Sequence, residues 1–387
     1  MVFIRINNRV NMSNKTPLDL RLTIEGKSIR VTNQINAEAE DFERALLARQ
    51  RTRPYDDAPL PLHLSLSQQT IWVKKTDQDA VLVQVTGADG LPAAQVVATI
   101  YHPRRTKWFR HAIVHAMGCS FISHEEELSL YKTLPEILKS ARGVHRVRLQ
   151  AMRLAHTDLM DFDNLAHRAG YNLVDPLAVT RTLMFDIQAP VEEILAALGS
   201  KTRAKIRHHG NEKVDIRTIS DDAAIPGLKT ALAASFSRTK GGEPYLEFDD
   251  LLRVAKERPD LVLIQGLYFK HRPEDLLAYS IVLRHGDVIE SFSSGSLPDS
   301  ELRKLPFNYF LLWGRIPWAQ AHGGKLMDLG GVTDGGSTDP LAGISQFKRH
   351  FCEKQLEIGR EMVIETSPLR CLMFRAVVAL AQRLGRS

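Results

Sequence analysis

The order of elements predicts an α+β chain of two successive domains, each a mixed, largely antiparallel sheet flanked by helices. Three observations carry this. Strands adjacent in sequence are joined by turn signals such as Glu25-Gly26 and His285-Gly286-Asp287, which makes the pairs antiparallel rather than parallel with helical crossovers. Apolar residues fall into short alternating runs or into helical stripes. The same order, helices, antiparallel strands, then helix, strand, helix and strand, recurs in both halves. At roughly 100–200 residues per domain, 387 residues accommodate two. The expected boundaries are 18–182, 183–365 and a basic amphipathic C-terminal helix over 366–387.

In the first half, Leu20–Val31 alternates as a strand pair about Glu25-Gly26. Residues 37–51 read as helix, TIWVKK and AVLVQVTG as strands, and AAQVVATIY as another strand. A helix at 134–141 leads through Gly143 to the strand VHRVRLQAM, and a helix at 158–169 ends at Gly170 before TRTLMFDI. The second half opens at Pro190. Val191, Ile194, Leu195 and Leu198 form one helical stripe, with Pro190 suited to the first turn and Gly199 to the stop. A short basic helix at 201–209, the strand VDIRTI and helices at 223–236 and 248–257 follow, the last behind the loop Arg238-Thr-Lys-Gly-Gly. Strands at 261–270, 276–284 and 288–293 form a meander. A helix at 307–322, a strand at 325–328, a Gly-rich loop, a helix at 344–352 and a strand at 355–358 complete it.

Composition excludes several classes. Hydrophobic residues at 44% and charged residues at 25% exclude a disordered, collagen-like or membrane-embedded chain. No apolar run approaches the ~20 residues of a bilayer span; Cys371 to Ala381 is interrupted by Arg375. Cys119, Cys352 and Cys371 are few and scattered, so a reducing, cytoplasmic setting is expected. The N-terminus has no secretory apolar segment, and Met12 rivals Met1 as the true start. No metal spacing, GxSxG, P-loop or GxGxxG is present.

The formal charge of +6 is concentrated. In SKTRAKIRHHG, Lys201 and Lys205, and Arg203 and Arg207, are i,i+4 pairs of like charge. Each such pair costs a helix about 0.2–0.5 kcal/mol. Either an anionic ligand or simple solvation explains them. HPRRTKWFRH, 102–111, interleaves cations with Trp108 and Phe109, as a nucleic-acid surface or a surface loop with anchored aromatics would. Tyr309, Trp313 and Trp318 serve either a groove or the core. Lys348, three residues past Ser345, falls in the first turn of the expected helix. A cation there opposes the helix dipole, which points to another task.

The second half resembles the FemAB-type aminoacyltransferases, relatives of the GNAT acetyltransferases built from two GNAT-like domains. Arg203-Ala-Lys-Ile-Arg207-His-His-Gly-Asn-Glu-Lys-Val214 is similar to that family's R-x-x-I-R-x-A-x-x-x-G-V helix. Trp313-Gly-Arg-Ile316-Pro-Trp-Ala319 and Asp328-Leu-Gly330-Gly331 resemble its W-x-x-I-x-x-A and D-x-G-G. Gly343-Ile-Ser-Gln-Phe347-Lys348-Arg-His-Phe351 resembles G-[IL]-x-x-F-K-x-x-F, with Cys352 where the family often has Gly. The likeness covers about 190–360, and no long transfer-RNA-binding insertion is present.

The resemblance implies tandem GNAT-like domains that transfer an acyl or aminoacyl group from an activated donor to an amine, without a covalent enzyme intermediate. The co-substrate would be acyl-CoA or aminoacyl-tRNA, with no tightly bound cofactor and no metal. The acceptor would be a cell-envelope precursor of peptidoglycan or exopolysaccharide. Lys348 would stabilise the oxyanion or the donor's phosphates, and Asp328 would orient substrate or act as base. Arg203, Arg207, Arg238, Tyr279, Tyr309, Trp313 and Phe347 would bind substrate. The competing reading is a degenerate tandem-GNAT protein that binds an anionic envelope glycan or RNA. A last expectation concerns the cationic apolar segment 369–386, which either contacts the inner face of the membrane peripherally or packs back on the first domain.

Overall fold

The structure, a computed structural model, describes residues 17–51, 69–75, 79–102, 108–115, 120–121, 124–152, 156–176, 181–208, 212–239, 246–333, 339, 341–357 and 359–383. The chain divides into two compact units, Met1–Thr180 with Ile358–Ser387, and Arg181–Glu357. The expected second domain, 183–365, therefore gives up its last strand. Gly359–Glu365 pairs antiparallel with Arg146–Met152 in the first sheet. Buried Glu361 accepts there from Arg148 and, at 3.1 Å, from Gln150. A buried carboxylate needs such donors on hand, and they fix the register of a strand that arrives from far along the chain.

The first sheet runs Asp19–Ile24, Lys27–Thr32, Ala80–Thr86, Pro92–Tyr101, His111–His115, Arg146–Met152, Gly359–Glu365 and Asn172–Leu173, with Ser120–Phe121 pairing onto Pro92–Tyr101. Glu25 and Gly26 have φ of +50° and +77°, the two left-handed residues of a tight hairpin turn. Among the described residues of this sheet only His111–His115 and Arg146–Met152 pair in parallel, with the helix His124–Arg142 in the chain between them. That helix buries Leu130, Tyr131, Leu134, Ile137 and Leu138 against the sheet. TIWVKK, expected as a strand, is the helix Thr70–Lys75. Glu43 of the preceding helix, Ala37–Arg51, accepts from the Thr70 amide at 2.7 Å. A carboxylate at a helix start satisfies an orphan donor, and this tertiary contact overrides β propensity.

The second sheet runs Val214–Thr218, Val262–Phe269, Ala278–His285, Val288–Ser296, Leu326–Gly331, Arg181–Asp186 and Gln355–Glu357. It repeats the first unit's plan: an antiparallel meander, one parallel pair (Val288–Ser296 with Leu326–Gly331) and an antiparallel neighbour. The expected helix at 307–322 is two helices, Phe307–Trp313 and Ile316–Ala321. Pro317, which has no amide to donate, is accommodated in the first turn of the second. Leu183, Ile194, Leu198, Leu312, Ile316, Ala319 and Met327 form the core on this side of the sheet.

Gly295 shows how tightly the other side is packed. A Cβ there would lie 2.5 Å from Tyr279 Cε1 and 2.9 Å from the carbonyl oxygen of Ala231. Backbone cannot yield as a side-chain tip can. Gly295→Ala is therefore expected to destabilise the protein by about 1–3 kcal/mol, read as a lower urea midpoint; an unchanged midpoint would contradict this packing.

Candidate functional site

The parallel pair is where the second sheet opens. Its ladder aligns Val288 with Leu326, Ile289 with Met327 and Glu290 with Asp328, and ends there. On the other side of Leu326–Gly331 the register slips: Asp328 faces Met184, but Gly331 faces Thr182. Gly330, at φ +78°, occupies this bulge; the left-handed conformation is accessible to glycine at little cost. The chain thus leaves Val288–Ser296 directly after Asp328 and bulges away from Arg181–Asp186 until Gly331, and polar groups are left at the break.

Asp328 is 5% exposed. Its Oδ1 accepts from the Thr182 hydroxyl and, at 2.7 Å, from the Gly330 amide. Burial pushes its carboxyl up to about 6, and the charge of Glu290 adds to this, while Thr182, Gly330 and Lys348 pull the other way. Glu290 itself is bonded to His285 Nε2 at 2.9 Å.

Lys348 approaches from the helix Ala342–Arg349. It lies in the last turn of that helix, not the first, because the helix runs from Ala342 to Arg349 rather than over 344–352. The dipole there favours a cation, so the electrostatic conflict expected from the sequence does not exist. Lys348 Nζ donates to the Gly331 carbonyl at 2.7 Å. Gly330 matters here too: a Cβ at that position would come within 3.3 Å of Nζ. The ammonium is pulled down to about 8, chiefly by burial and further by the charge of Arg315, with Asp328 opposing. Asp328 and Lys348 thus sit close enough for each to shift the other, with no direct ion pair between them.

Arg315, at the start of Ile316–Ala321, is the neighbour that sequence reasoning overlooked. It is 6% exposed, donates to the Ser291 hydroxyl at 2.8 Å, and its buried Nε has no partner among the described residues. Burial lowers its guanidinium to about 10. A signal was present: Arg315 lies on the apolar stripe of Leu311, Leu312, Ile316 and Ala319, where a charge requires an explanation. Thr182 and Glu290 carried no comparable signal, since only the sheet register brings them to Asp328.

A second cluster lies beside helix Ser200–Ile206. Tyr309 accepts from Lys205 Nζ at 3.0 Å and bonds His350 Nδ1 at 2.6 Å, while Phe347 and Phe351 pack against its ring at 4.9 and 5.5 Å. Trp313 packs on the same core at its edge. Expected Tyr309, Trp313 and Phe347 thus come together, with Lys205 as their cation. The other expected binding residues fare differently. Arg203 turns back to donate to the carbonyls of Ala196, at 3.0 Å, and Leu198, closing the end of helix Val191–Ala197. Arg207 is exposed, its amide donates to the Arg203 carbonyl at 2.9 Å, and its side chain makes no hydrogen bond or ion pair among the described residues.

Tyr279 is fully buried, bonded to Ser293 at 3.0 Å and set edge-on to Phe248 at 5.6 Å; it is a core residue, not a groove lining. Arg238 belongs to the helix Ile225–Thr239 rather than to a loop, and its side chain lies outside the described residues, as do Gly335, Gly336, Arg104, Arg105 and Lys107. Among the described residues no His, Cys, Asp and Glu group could hold a metal ion. A cavity of about 550 Å³, lined by Tyr268, Arg272, Asp275, Leu297 and Asp299, lies elsewhere in this unit and includes neither Asp328 nor Lys348.

No protein-family model and no curated protein sequence matches the chain. Solved structures do. FemX is similar with a TM-score of 0.66 at 13% identity, over 88% of this chain and 98% of that one. A tandem GNAT protein from the clavulanic acid biosynthesis pathway is similar with a TM-score of 0.52 at 9% identity, over 90% and 98%. At these identities the likeness is one of fold. The chain has the fold that FemX and the tandem GNAT protein share, two successive GNAT-like units.

Proposed function

We propose that this protein transfers an acyl or aminoacyl group from acyl-CoA or aminoacyl-tRNA to an amine on a cell-envelope precursor. The observation that carries the reading is the pair at the strand break: a buried carboxylate pushed up to about 6 beside a lysine pulled down to about 8. The FemAB-like motifs and the tandem GNAT fold support it. In the proposed reaction the neutral amine attacks the acyl carbonyl, the new N–C bond forms and the donor's C–S or C–O bond breaks. Asp328 takes the proton from the amine and passes it to the leaving thiolate or alkoxide, which departs as the thiol or alcohol. Lys348 holds the developing oxyanion, where a preorganised donor in a water-poor site has its greatest effect. Arg315, a buried cation without a counter-charge among its hydrogen bonds, would accept an anionic group of donor or acceptor.

The test is to incubate the protein with radiolabelled acetyl-CoA or aminoacyl-tRNA pools and envelope precursors, and to follow the label. Transfer to an amine-bearing precursor is the expected result. Saturable binding of a glycan or RNA with no transfer would make the protein a binding module instead.

A further inference from the structure

The helix Pro368–Arg383 belongs to the first unit and is held there by one side only. Cys371 is buried and donates to the His145 carbonyl at 3.2 Å. Phe374 stacks on Phe109 at 4.2 Å. Arg370 meets His145 at 2.8 Å, and Arg375 meets Glu365 at 2.5 Å. The opposite face is bare. Leu369, Leu372, Met373, Ala376, Val377 and Leu380 follow the i, i+3, i+4, i+7, i+8, i+11 spacing of a single stripe. All six are exposed, Leu369 to 69% and Leu372 and Leu380 to 58%. A core-facing helix would bury this stripe; here it points to solvent.

We infer that this face docks on an anionic phospholipid surface, with the helix lying in the plane of the interface. The charges decide between occupants. The segment from Pro368 to Ser387 contains Arg370, Arg375, Arg383 and Arg386 and no acidic residue. Arg375 is offset by Glu365, but Arg370 and Arg383 have no carboxylate on the helix to offset them. Two copies pairing through the stripe would therefore bring like charges together, whereas anionic headgroups complement them. The anchor supplies a second, independent observation. Phe109 ties the helix to the basic segment 102–111, and its neighbour Trp108 is 40% exposed. An amphipathic indole at a lipid boundary is favourable because its ring is apolar while its N–H stays hydrated. No helix among the described residues is long and apolar enough to cross a membrane, which fits a helix lying along the surface.

The test is flotation of the full-length protein with vesicles of phosphatidylcholine containing phosphatidylglycerol, beside vesicles of phosphatidylcholine alone, at low and high salt. Co-flotation with the anionic vesicles only, weakened by salt, is expected. The double variant Leu372→Glu, Val377→Glu should stay at the bottom of the gradient with an unchanged circular dichroism spectrum, since both side chains are exposed. Arg383→Ala should weaken binding about fivefold. Equal flotation with both vesicle types, or none with either, overturns the inference. So does a dimer in sedimentation that the double variant dissociates while the native protein fails to float. None of these outcomes depends on acyl transfer.

Discussion

Lys348→Ala is expected to lower turnover about 10²–10³-fold, the usual cost of losing one preorganised donor to a developing oxyanion. The fold should survive it. Among the described residues its side chain bonds only the Gly331 carbonyl, and its ammonium is held below its ordinary range by burial, so folding gains little from its charge. The measurement is kcat with the donor and acceptor found by label transfer, beside a thermal melt. Near-native kcat would remove Lys348 from the mechanism; a collapsed melt would make it a structural lysine.

The second large effect belongs to Asp328→Asn. A general base contributes about 10²–10⁴-fold, and Asn cannot take a proton. The native enzyme should show a bell-shaped rate profile. Its acid limb near 6 follows ionisation of Asp328, and its alkaline limb near 8 follows loss of charge from Lys348. Because the two groups interact, the limbs belong to the pair. The variant should lose the acid limb.

Stability should move the opposite way. The folded carboxyl binds its proton more tightly than the unfolded one, so the native state holds more protons between the ordinary carboxylate range and about 6. Stability from this group is therefore complete at low pH and falls as pH rises through that window. Asp328→Asn, neutral throughout, should raise the urea midpoint at neutral pH and leave it unchanged near pH ~4. An equal rise at both would show that the carboxylate is not destabilised by its burial.

Much of the architecture was legible because local patterns agreed with it. The helix at 37–51, the hairpin at Glu25-Gly26 and the meander of the second half follow from periodicity and turn chemistry. Errors arose where a distant contact outweighed the local pattern. Thr70–Lys75 is rich in strand-favouring Thr, Ile, Trp and Val but is helical under the carboxylate of Glu43. The cut at Pro317 and the early start at Ala342 each shifted a helix boundary, and the second reversed the apparent sense of Lys348 in the dipole. Tyr279 was expected to bind substrate, and its strand pattern does not say which face is covered by helices. Arg203 looked like a ligand cation because nothing local shows that it closes the preceding helix.

The sequence by itself determined the two-unit α+β plan and the clustering of charge, because each depends on spacing along a few turns or strands, while Asp328, Phe347 and Lys348 were singled out by the family resemblance. Only the tertiary structure decided that Gly359–Glu365 returns to the first sheet and that Thr182, Glu290 and Arg315 gather about Asp328 and Lys348. It also decided that the apolar stripe of the last helix faces outward. The physical reason is common to all three. Desolvation and strand register depend on what packs against a residue from elsewhere in the chain, and no local period carries that information.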